Sequence, residues 1–250
     1  MYMSVATRAD GAPVYAEIAG ARVLITGLTS GLGVDVARAF ADHKARLVLQ
    51  SPEGSPAVAE LAAVMAESAS EMKLFIDNPL DADGAVRFAQ NAAQAFGGLD
   101  AVINLVPILA EELAGLDTVE AIERLVSDKL LVPTLVGRVA ANRMRLTWTQ
   151  GLVLNVVVMD GTCSPRQAAV AAILRAALAS LTRGEAGEWA PQEIRINAIG
   201  PKSADPGEPG GATLTSEPDI AALALYLASK KGRTLSGHVF DAEGIAGRRC

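Results

Sequence analysis

The chain has 250 residues, half of them hydrophobic, with 22 basic against 28 acidic side chains and a formal net charge of −6. That length and apolar content suit one α/β domain with a buried core, and the acidic balance lacks the clustered Lys and Arg that a nucleic-acid surface needs. Cys163 and Cys250, with only His43 and His238 beside them, provide neither a zinc spacing nor a disulfide framework.

Residues 1–20 show no periodicity, contain Gly11, Pro13 and Gly20, and read as an N-terminal arm that carries Tyr2 and Tyr15, two of the three tyrosines. The arm also holds Asp10 and Glu17 and no continuous apolar run, so neither a signal peptide nor a membrane span is expected, and the expected location is the cytoplasm. From residue 21 aliphatic runs alternate with alanine-rich helical segments, the pattern of βαβ units. Strands are predicted at 22–26, 46–50, 73–76, 101–105, 152–158, 195–199 and 238–242, and helices at 32–41, 57–68, 81–96, 117–143, 167–188 and 217–229. The strands do not alternate apolar and polar residues, as expected of strands covered on both faces. Pro133 should kink the fourth helix. Segment 202–217, rich in Pro, Gly, Ser and Asp, reads as a loop. The whole is one doubly wound α/β domain over 21–250, with seven parallel strands and helices on both faces.

The first strand runs into Gly27-Leu28-Thr29-Ser30-Gly31-Leu32-Gly33 and a helix. Glycines at such a turn let the backbone approach a diphosphate, whose charge the free amides and positive dipole end of the helix can hold. Gly27, Ser30, Gly31, Leu32 and Gly33 are therefore candidate cofactor-binding residues.

With this turn on a single domain of this size, the chain resembles the short-chain dehydrogenase/reductase family from residue 21 to residue 244, and the resemblance implies a Rossmann fold. Asp77-Asn78 resembles the family's adenine-binding acidic pair, and residues 99–104 resemble the strand leading to its Asn-Asn-Ala-Gly motif, with Asn104 as the first asparagine. Residues 194–201 resemble the strand before the family's Pro-Gly turn, and 235–244 the C-terminal strand. The resemblance implies hydride transfer with a nicotinamide, NAD or NADP, assisted by a serine, a tyrosine, a lysine and a helical asparagine. At those positions stand Val158, Ala171, Arg175 and Lys129, and residues 16–225 contain no tyrosine. Arg175 keeps a positive charge where the family holds the ribose, but is a poor proton relay. Leu105-Val106-Pro107 replaces Asn-Ala-Gly and should crowd the cofactor floor, and the segment from Lys202 is shorter than the family's substrate lid. Glu53, after the second strand, tilts the cofactor toward NAD, since a carboxylate there takes ribose hydroxyls. Arg46, inside that strand, reads as an edge or snorkelling residue rather than a phosphate ligand.

No catalytic residue is assigned on this reading. It describes a catalytically silent member, a structural or regulatory subunit that retains or has lost dinucleotide binding. Assembly is expected as a homo-oligomer, dimer or tetramer, or as a hetero-oligomer with an active paralogue. The contacts would run through helices 117–143 and 167–188, and through an alanine face of Ala168, Ala169, Ala171, Ala172, Ala176 and Ala179. One alternative is an oxidoreductase with relocated groups drawn from Asp160, Cys163, Ser164, Arg166, Tyr2 and Tyr15. Another is a nucleotide-responsive sensor.

Overall fold

The computed structural model describes residues 15–79, 81–114, 116–159, 165–201 and 217–241. Seven parallel strands form one sheet: β1 (Arg22–Thr26), β2 (Arg46–Ser51), β3 (Glu71–Ile76), β4 (Ala101–Ile108), β5 (Leu152–Met159), β6 (Arg195–Gly200) and β7 (Val239–Asp241). Their order is β3-β2-β1-β4-β5-β6-β7, so the direction of winding reverses between β1 and β4. Helices α1 (Val34–Asp42), α2 (Pro56–Ser68), α3 (Ala82–Gln94), α4 (Ala110–Leu113), α5 (Val119–Leu146), α6 (Pro165–Trp189) and α7 (Glu217–Ala228) connect them.

Both sheet faces are covered. Val23 and Ile25 pack with residues of α1 and α7 and with Met65 of α2, while Leu24 on the opposite face packs with α3 and α5. Farther along the sheet Val157 and Met159 pack with Val170, Ala171 and Leu174 of α6. This two-sided burial is why the strand segments read as unbroken apolar runs. Polar caps start the helices: the side chains of Ser55, Asp81 and Thr118 accept from the amides of Val58, Gly84 and Ala121.

Several elements differ from their predicted extents for local reasons. Helix α1 starts at Val34 rather than 32 because Gly33, at φ +88°, still belongs to the turn. Strand β4 continues through Pro107; β1 pairs it only as far as Asn104, while β5 pairs it on to Ile108. Helix α5 continues as one helix through Pro133. On α6, Ala171 is buried in the core, whereas Ala169, Ala172 and Ala176 are exposed. Residues 15–20 pack beside β1 with Ile18 buried, and the Glu17 carboxylate accepts the Lys230 amide at 2.9 Å. Predicted loop 202–217 lies outside the described residues except for Glu217, the first residue of α7.

Candidate functional site

In doubly wound sheets ligands bind beyond the carboxyl ends of the strands, where the winding reverses. Here that place lies between β1 and β4, and the glycine turn follows β1. Gly27 has φ +76°, and a Cβ there would come within 2.1 Å of the Leu105 carbonyl oxygen, so only glycine lets the turn cross β4. Gln50 clamps the turn from the other side. Its Oε1 accepts the Gly27 amide at 2.7 Å, its carbonyl accepts the Leu28 amide at 3.0 Å, and its Nε2 donates to the Asp77 carbonyl at 2.5 Å. Sequence reasoning did not single out Gln50, although a polar residue in an apolar strand was the available signal. The Thr29 hydroxyl accepts the Gly31 amide at 3.3 Å. Ser30 and Gly31 are exposed, Leu32 is half-buried, and a Cβ on Gly31 would meet nothing within 4 Å.

The N-terminus of α1 already holds an anion. The Glu217 carboxylate accepts the Asp35 amide at 2.7 Å, with the amides of Val36 and Gly33 also bonding to it. Burial pushes this carboxyl above its usual range and the nearby Asp35 charge adds to the rise, against the stabilising amides. The Glu217 carboxyl caps these amides from α7. The open approach at Gly31 leaves the Ser30-Gly31 side of the turn able to take a dinucleotide diphosphate.

Asn104 lies beneath the turn. It is fully buried: its Oδ1 accepts from the Thr26 hydroxyl at 3.0 Å, and its Nδ2 donates to the Pro133 carbonyl at 3.1 Å and to Asn155 Oδ1 at 2.8 Å. The expected cofactor contact is therefore placed as a clasp joining β1, β4, β5 and α5. Leu105 is buried under the turn, where its Cδ1 would be 2.5 Å from a Cβ on Gly33. The residue expected to crowd the cofactor floor thus supports the glycine turn.

On the β2–β3 side of the turn, Asp77 and Asn78 are exposed after β3. Glu53 is exposed after β2, in a tight turn where its amide donates to Ser51 Oγ at 3.1 Å. Arg46 sits at the other end of β2, an interior strand, paired with Glu71 at 2.7 Å and lying 4.5 Å above the Phe96 ring.

At the far side of the switch point, Val158 is the ladder partner of Pro107, and Ala171 is packed in the apolar core. Arg175 donates to the Pro201 carbonyl at 3.1 Å, just past β6. Lys129, on α5, places its ammonium 2.7 Å from the Pro107 carbonyl and 2.7 Å from the Glu112 carboxylate. Glu112 also accepts the Leu109 amide at 2.9 Å. Asp160, Cys163, Ser164 and Tyr2, and the side chain of Arg166, lie outside the described residues. Tyr15 is placed away from the site. It precedes β1, its ring is 5.9 Å from that of His43 at the C-terminal end of α1, and burial raises its pKa. That is the amino edge of the sheet, so Tyr15 is not a relocated catalytic group.

A family model described as short chain dehydrogenase matches residues 21–207. Momilactone A synthase of Oryza sativa subsp. japonica is 28% identical over 254 residues, covering 91% of this chain and 90% of its own. The 3beta-hydroxysteroid dehydrogenase 2 of Eggerthella lenta is 27% identical over 251 residues, covering 91% and 95%. Among solved structures, NADH-dependent reductase A1-R' complexed with NAD is 22% identical with a TM-score of 0.76, covering 94% of this chain and 99% of that one, and it shares the fold. These findings correct the expectation of a catalytically silent subunit: the chain matches a dehydrogenase family, and its near-full-length relatives are named for enzymatic activity. The silent reading rests on the absence of a titratable group at the family's hydroxyl positions; α5 and α4 carry a Lys129–Glu112 ion pair to the end of β4.

Proposed function

This chain belongs to the short-chain dehydrogenase family, and we propose that it is a nicotinamide-dependent oxidoreductase interconverting a carbonyl and an alcohol with acid/base groups other than the family's tyrosine and lysine. The observation that carries this reading is the exposed Ser30-Gly31 approach to α1 at the sheet's switch point, where Gly27 brings the turn close over β4. Ser30, Gly31 and Leu32 would hold the diphosphate, with Gly27 and Gly33 shaping the turn. Asp77 and Asn78 would face the adenine, and Glu53 the adenosine ribose, which favours NAD over NADP. Arg175 would lie toward the second ribose, while Asn104 holds the strands beneath. A bound nicotinamide would supply or take the hydride. Val158 and Ala171 cannot exchange a proton, so this chain needs an acid elsewhere.

The test is calorimetric titration with NAD, NADH, NADP and NADPH, followed by an aldehyde, ketone and alcohol panel read by nicotinamide absorbance. Micromolar binding with turnover of a member of the panel is expected. Absence of turnover across the panel, with or without binding, would overturn the proposal. Exposed Leu131 on α5, and Ile173 and Leu181 on α6, support assembly as a dimer or tetramer through these helices, which light scattering at micromolar concentration tests. Among the described residues no helix is long and apolar enough to cross a membrane.

A further inference from the structure

Carbonyl reduction requires a proton for the substrate oxygen, and the position of each titratable group along the carboxyl edge narrows its source. Glu217 and Asp35 belong to the glycine turn, and Asp77 and Glu53 to the outer strands β3 and β2. Arg175 carries a guanidinium, a poor proton relay by its chemistry. Over the paired ends of β4 and β5, among the described residues, stand Lys129 and Glu112.

Lys129 is not a solvent lysine: its side chain is only 17% exposed, and its ammonium is tied to Pro107, the ladder partner of Val158. An ammonium has three N–H donors. The Pro107 carbonyl accepts one of them at 2.7 Å and the Glu112 carboxylate lies 2.7 Å from the ammonium, so these two partners do not exhaust its donors. Glu112 is itself anchored by the Leu109 amide, so the pair is held rather than swinging.

We infer that Lys129 is the proton donor of the reaction and Glu112 the residue that positions it, an inference that rests on the oxidoreductase reading above. As the carbonyl carbon accepts hydride from a reduced nicotinamide, the π pair moves onto the oxygen. An N–H bond of Lys129 breaks and the O–H bond of the alcohol forms. The resulting neutral amine regains its proton from water. An alkoxide is far more basic than an amine, so this transfer runs downhill in the reductive direction.

The test compares wild type with Lys129→Ala, Lys129→Met and Glu112→Gln, measuring NADH affinity by calorimetry and carbonyl reduction with and without added propylamine. All variants should bind NADH with wild-type affinity, which also reports that they fold. Both Lys129 variants should lose about 100-fold or more in kcat, and propylamine should restore turnover to Lys129→Ala. Glu112→Gln should lower kcat about tenfold with KM unchanged, as loss of positioning does. Lys129 variants that bind NADH and keep wild-type turnover would overturn the assignment while leaving the oxidoreductase reading intact. An inactive, NADH-binding Lys129→Ala that propylamine does not restore would also overturn it. A wild type that binds NADH and reduces no carbonyl would overturn both.

Discussion

The Glu217 carboxylate accepts the Asp35 amide at 2.7 Å, so the first residue of α7 sets a negative charge on the helix end that follows the glycine turn. A dinucleotide diphosphate approaching that end meets a like charge. Glu217→Gln retains an amide oxygen that can accept the same N–H but removes the charge. Its NADH affinity should rise on the order of threefold to tenfold, the size of a helix-end charge effect. Calorimetry of the two proteins side by side at low salt decides it, and equal affinities would mean that Glu217 and the diphosphate use separate amides.

The same carboxyl and Asp100 pull the pH dependence of stability in opposite directions. Glu217 is raised by burial and by Asp35, so the folded protein binds its proton more tightly than the unfolded chain. Its contribution is full below the usual carboxylate range and is lost as pH rises through the folded value. Asp100 is opposed by burial but lowered overall by Arg22, which donates its amide, Nε and Nη2 at 2.8, 2.9 and 2.7 Å. That contribution is present above the usual range and is lost as pH falls through the folded value. Denaturant titrations across mildly acidic pH should show Glu217→Gln removing a decline toward neutrality, and Asp100→Asn removing a decline toward acid. The Arg22–Asp100 pair is partly exposed, so its loss should cost only about 1 kcal/mol at neutral pH.

The strands were legible because a sheet covered on both faces needs unbroken apolar runs, and the glycine turn because its close approach to β4 leaves Gly27 no alternative. Legibility failed where a role depends on what another element brings close. Asn104 reads as a ligand in sequence, yet α5 delivers the Pro133 carbonyl and β5 delivers Asn155, and together they bury it. Lys129 reads as a lost asparagine until α5 docks and its ammonium reaches Pro107. Tyr15 could be imagined folding back to the site, but Ile18 and the contact with His43 hold it at the opposite edge.

Asn104 also makes a stability prediction. Asn104→Leu would deprive the Thr26 hydroxyl, the Pro133 carbonyl and Asn155 Oδ1 of their partner in the sheet's interior. The expected cost is about 3 kcal/mol, since unsatisfied buried polar groups are each expensive. Urea unfolding measures it, and a loss below about 1 kcal/mol would show that neighbouring groups or water replace the clasp.

Two glycines of the turn should separate folding from binding. Gly27 combines φ +76° with a Cβ position 2.1 Å from the Leu105 carbonyl oxygen, a backbone atom fixed in the sheet. Gly27→Ala therefore has no rotamer to relieve the clash and should lose folded protein, or at least about 3 kcal/mol. Gly31 lies outside the positive-φ region and its Cβ would meet nothing within 4 Å. Gly31→Ala should fold with an unchanged or slightly higher Tm. The new methyl would occupy the space through which a diphosphate approaches the amides, so NADH affinity should fall on the order of tenfold. Thermal melts and calorimetry on the same samples separate the effects: a stable Gly31→Ala that binds NADH as wild type does would place the diphosphate elsewhere than on this turn.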